Sequence, residues 1–120
     1  MATVATVLVL VVAAIHVYIL VLEMFLWQTD RGRKAFGTTP EQAATMATLA
    51  ANQGLYNGFL AAGLFASFVL PAENAFMFRV FFLGCVIVAG VYGGLTVSRR
   101  ILLVQALPAA LALGAVLLAG

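Results

Sequence analysis

Apolar positions gather along the chain into four long runs parted by short polar breaks: roughly Ala2 to Trp27, Met46 to Leu70, Phe76 to Val97 and Ile101 to Ala119. Each is close to the about 20 residues that a helix needs to cross a hydrocarbon core about 30 Å thick. The pattern predicts an all-α fold, an integral membrane bundle of four transmembrane helices that occupies residues 1–120 as a single domain.

The polar breaks carry the boundaries. Thr39-Pro40-Glu41-Gln42 offers a capping hydroxyl, a proline at the first helical position and a Gln at the third. Together they form a capping box, which starts the second helix before Met46 and lays its first turns at the interface. Leu70-Pro71-Ala72-Glu73-Asn74 ends that helix. The short Val97-Ser98-Arg99-Arg100 turn makes the last two helices antiparallel neighbours.

Composition sharpens the class. Of the 120 residues 65% are hydrophobic and 8% charged, where a soluble domain has about a quarter charged. The net charge of +2 rests on a few loop residues and carries no nucleic-acid signature. The first run lacks a basic leader and a small-residue cleavage site, so it is expected to remain as a span. Arg31, Arg33 and Lys34 follow the first run and Arg99 and Arg100 precede the last, against Arg79 alone near the second loop. By the positive-inside rule this bias puts loops one and three in the cytoplasm and both termini outside.

Two ionisable groups lie within the first run. His16 and Glu23 are seven residues apart, share one helical stripe with Leu20 and Trp27, and are separated by about 10 Å of rise, too far to bond each other in a regular helix. Depth counted from the helix ends matches Glu23 with Asn52, Gln53, Tyr92 and Gln105 in a cytoplasmic-side polar layer. His16 matches Tyr56 and Asn57 in a second layer deeper in. A carboxylate at the bilayer centre costs about 2.5 to 3.5 kcal/mol, so it normally faces a bundle interior or a wet cavity and takes hydrogen bonds there. An imidazole with a reference pKa near 6.5 exchanges protons readily, so stacked Glu and His have the chemistry of a proton relay.

Structural readings stand beside these. Glu23 can snorkel or pair with a loop arginine, and His16 can be a neutral histidine that fastens two helices. The Asn52, Gln53, Tyr56 and Asn57 cluster can be interhelical glue, at about 0.6 to 2 kcal/mol per bond. Gly90-Val91-Tyr92-Gly93-Gly94 contains a GxxxG spacing that lets backbones approach closely, a packing feature and weak evidence for a dimer. Cys85 reads as a small packing residue, and a lone His with a lone Cys is too sparse for a metal site. Pro108 is expected to kink the last helix and free the carbonyl of Val104, with Gln105 near enough to satisfy it. Trp27 and the phenylalanines read as interface and lipid-facing residues.

Three stretches, "HVYILVLEMFLWQTDRGRKAFG", "LAANQGLYNGFLAAGL" and "VIVAGVYGGLTVSRRILLVQALPA", together resemble the small bacterial membrane proteins grouped as domain-of-unknown-function family 1304. The resemblance covers nearly the whole chain, and NQGLYNGFLAAGL is its most specific part. It implies a compact integral membrane protein of four helices, with His16, Glu23, Asn52, Gln53, Tyr56, Asn57 and Gln105 in the recognisable motifs; the expected location is the bacterial inner membrane. It implies no activity, and no catalytic constellation or cofactor is specified by the residues. Three functional readings remain open. One is a proton-linked or polar-solute transporter, working as a homodimer because four helices leave little room for a substrate. Another is a module that binds a quinone-like or lipid headgroup ligand in the same pocket. The third is a structural subunit whose polar layers fix helix register.

Overall fold

The computed structural model describes residues Met1–Gly120, all in helices and connecting turns. In chain order these are α1 (Ala2–Met24), a short α2 (Asp30–Phe36), α3 (Pro40–Ala66), α4 (Ala72–Thr96), a π-helical turn (Leu102–Ala106) and α5 (Leu107–Ala119). Three segments are long and apolar enough to cross a membrane: Ala2–Met24, Ala72–Thr96 and Leu102–Ala119. The fourth expected span corresponds to α3. At 27 residues it has ample length, but Asn52, Gln53 and Asn57 in mid-helix and Glu41 and Gln42 at its start lower its apolar content. The helix starts at Pro40, as the capping box requires: the Gln42 N–H donates to Thr39 Oγ1 at 3.1 Å, and the Thr39 N–H donates to Gln42 Oε1 at 2.9 Å.

Contacts divide the chain into two compact units, with boundaries inside α1 and inside α3. The first comprises Met1–Ile15 and Leu60–Gly120. Its core is made of small and branched apolar side chains, among them Val9, Val12, Ala13, Leu64, Leu83, Val86, Ala109, Ala112 and Val116. The GxxxG glycines are spent within the chain. A Cβ at Gly90 would lie 2.6 Å from the backbone N of Ala106, and one at Gly94 would run into Leu102. Absence of a side chain therefore lets α4 lie directly against the π-helical turn, as antiparallel neighbours do, and the spacing gives no support to a dimer.

Pro108 follows a break in the regular helix. The turn before it is widened, with the Leu107 N–H donating to the carbonyl of Leu102 five residues back. A proline ring clashes with the carbonyl four residues earlier, and a wider turn makes room for it. Arg79, grouped by sequence with the second loop, lies on α4. Its Nε donates to Ser67 Oγ at 2.9 Å, and its guanidinium sits 4.5 Å from the centroid of the Phe68 ring.

The second unit is His16–Phe59. The first polar loop is not irregular here, because residues 30–36 form α2. Thr29 caps it, accepting from the Gly32 N–H at 3.3 Å, and Gly37 ends it in the left-handed region at φ 68°. Trp27, expected to face lipid, is buried. Its Nε1–H donates to the carbonyl of Ala43 at 2.9 Å, and its ring packs on Phe36 with centroids 4.9 Å apart.

Candidate functional site: a buried carboxylate and amide

Within the second unit, α1 and α3 approach closely because α3 carries glycine where α1 carries bulk. A Cβ at Gly54 would lie 2.6 Å from Met24 Cγ and 3.1 Å from Glu23 Cβ, and one at Gly58 would lie 2.6 Å from Leu20 Cδ1. Asn57 lies between these glycines in sequence, and its Nδ2 donates to Glu23 Oε1 at 2.7 Å. The same Nδ2 donates to the carbonyl of Gln53 at 3.2 Å. An amide nitrogen has two hydrogens, so both are engaged and the side chain is fixed with its donor on the carboxylate. Glu23 and Asn57 are buried, and His16, two turns earlier on α1, is fully enclosed at 0% exposure.

Within this unit, the pairing of α1 with α3 differs from that expected from depth alone. Glu23 takes its amide from Asn57, assigned by depth to the deeper layer, whereas Asn52 and Gln53 are exposed and Gln53 contributes its backbone carbonyl. Tyr56 is 57% exposed and packs edge-to-face on Phe59, with centroids 5.7 Å apart. The cause is azimuth. Ala50, Gly54, Asn57, Ala61 and Leu64 recur at i, i+4, i+7, i+11 and i+14 and are buried together, which leaves Asn52 and Tyr56 on other faces of α3. The remaining two candidates lie in the other unit: Tyr92 is 71% exposed, and Gln105 is half-buried on the π-helical turn.

Sequence reasoning missed two polar contacts of this unit, the Trp27 bond to Ala43 and a bond from Arg31 Nη1 to Tyr18 Oη at 3.3 Å. No group of three or more His, Cys, Asp and Glu is gathered in a metal-binding arrangement. The chemistry assembled is that of one carboxyl group, one carboxamide and, along the same helix, one imidazole. Such groups hold protons and hydrogen-bond polar solutes.

An all-α chain with three helices long and apolar enough to cross a membrane has the build of an α-helical membrane protein. The chain belongs to the family described as "Protein of unknown function (DUF1304)", whose model it matches over residues 10–117. It is 32% identical over 106 residues to "Uncharacterized protein YpaA" of Lactococcus lactis subsp. lactis (strain IL1403), an alignment that spans 87% of this chain and 88% of that protein. No solved structure matches the chain.

Proposed function

We propose that this is a small multi-pass protein of the bacterial inner membrane that moves protons, or a small polar solute coupled to them, with Glu23 as the proton-binding group. The observation that carries the reading is the Glu23–Asn57 bond: a buried carboxyl group, placed within a helix of membrane-crossing length and oriented by an amide whose own donors are both committed. Ionisable side chains in such positions mark ion and proton pathways. His16, two turns away on the same stripe, extends the polar path along α1. In this reading α3 is the fourth crossing. At about 40 Å it is long enough, and its mid-helix Asn57 finds its partner on α1. Four crossings put both termini outside, with Arg31, Arg33, Lys34, Arg99 and Arg100 in the cytoplasm.

Purified protein in liposomes with an internal pH dye tests the function. Glu23→Gln keeps size and hydrogen-bonding capacity but holds no exchangeable carboxyl proton, so proton-linked flux is expected to vanish at matched folded protein. Equal flux from wild type and variant would remove Glu23 from the mechanism. Reporter fusions at each terminus test the topology, with both expected to report from outside. A cytoplasmic C-terminus with an external N-terminus would leave three crossings and return α3 to the interface.

A second reading is favoured by the glycines beside the pair. Gly54 and Gly58 bring α3 onto Leu20, Glu23 and Met24, the packing expected where a polar bond locks the register of two helices. On that reading Glu23→Gln lowers stability and leaves no flux to lose.

A further inference from the structure

The short α2 presents three different faces. Gly32 is buried where a Cβ would run into the carbonyl of Leu26, and Phe36, four residues on, lays part of its ring on Trp27 while staying exposed at 39%, so the Gly32 side is the one held against the protein. Asp30 and Arg33, three apart, form an ion pair at 2.6 Å and cancel each other's charge. Arg31 and Lys34, also three apart, lie on one face of the helix, are both exposed and together carry two positive charges.

Arg31 does not simply extend into solvent. Its Nη1 donates to Tyr18 Oη, a residue six positions, or about 9 Å, before the end of α1 at Met24. The guanidinium is therefore drawn back along the outside of a membrane-crossing helix, beside Tyr18 at 48% exposure and not far along the chain from Phe25 at 70%. A cation held there needs an anion or water at headgroup depth. Having accepted from Arg31, the tyrosine hydroxyl still has its own hydrogen to donate, and the guanidinium has four further N–H groups. These donors and the Lys34 ammonium suit a phosphate monoanion.

We propose that Tyr18, Arg31 and Lys34 form a site for the phosphate of an anionic lipid headgroup, which seats the α1–α2 corner in its leaflet. The site is independent of whether Glu23 carries a proton. Basic side chains beside a membrane helix attract anionic lipid, each contributing about 1 kcal/mol, which is about fivefold in affinity.

Native mass spectrometry of the detergent-solubilised protein, titrated with phosphatidylglycerol or phosphatidylcholine, reads the site directly. Phosphatidylglycerol is expected to be retained preferentially. Arg31→Gln and Lys34→Gln should each weaken it about fivefold, and the double variant about thirtyfold. Arg33→Gln should leave retention as in the wild type. Tyr18→Phe keeps the ring, and so keeps the test usable should the double variant fail to fold; it should weaken retention about fivefold through one lost hydrogen bond. Equal retention of the two lipids, wild-type retention by Tyr18→Phe and Arg31→Gln, or displacement of the lipid by equimolar inorganic phosphate would each overturn the proposal.

Discussion

The two units of this chain are held by different forces. In Met1–Ile15 with Leu60–Gly120, nearly every buried group is an aliphatic side chain or a glycine, with Ser67, bonded by Arg79, the polar exception. In His16–Phe59 the buried apolar cluster is small, with Trp27, Ala43 and Ala50, while directional bonds recur: Trp27 to Ala43, Asn57 to Glu23, Thr39 with Gln42, and Arg31 to Tyr18. Lipid tails are as apolar as leucine, so the first kind of contact gains its stability from close fit. The second gains it from matching a donor to an acceptor. One unit should therefore be sensitive to volume and the other to chemistry.

The largest effect is expected at Gly90. Leucine there must displace the Ala106 backbone, which has no flexible end to yield, so Gly90→Leu should cost about 3 kcal/mol or more in detergent unfolding. Gly84→Ala, on the same helix but with open space around its Cβ, should cost nothing and can gain up to about 1 kcal/mol from helix propensity. Equal behaviour of the two would end the argument from fit.

A smaller effect tests the directional unit. Asn57→Leu keeps bulk and removes the donor to Glu23, and a double-mutant cycle with Glu23→Leu should return a coupling of about 1 kcal/mol. Coupling indistinguishable from zero would mean that this unit too is held by packing. Smaller again, and outside the membrane-crossing stretches, Thr39→Ala removes one arm of the capping box and should cost about 0.5 to 1 kcal/mol, with the loss of helicity confined to the start of α3.

These forces also explain how far the sequence could be read. The capping box at Thr39 to Gln42 was legible to the residue because all its partners lie within four positions of one another. The antiparallel seam after Val97 was legible because a short turn allows little else. Asn57 as the partner of Glu23 was not, since depth along a helix can be counted from its end, whereas the face it turns inward depends on the neighbouring helix. The glycines at 54 and 58, spaced as Asn57's flanks, were the available signal. The α2 helix was hidden by its length of seven residues, too short for periodicity to register. Thr29 with Asp30 at its start and Gly37 at its end do, however, mark it. Trp27 followed the general habit of interfacial tryptophans until one backbone carbonyl, 16 residues on, gave its N–H a buried partner.

The widened turn at Leu102–Ala106 sets the phase of everything after it. Its own end residues, Leu102 and Ala106, meet Gly94 and Gly90, both pairs spaced by four; beyond it, Ala109, Ala112 and Val116 form a row in the apolar core. A one-residue deletion inside the turn would restore an ordinary helix, but successive residues are rotated by about 100°, so either the seam or the alanine row would swing away from its partner. Single-residue length changes are thus forbidden here while conservative substitutions are not. The helix tolerates new letters more readily than a missing one.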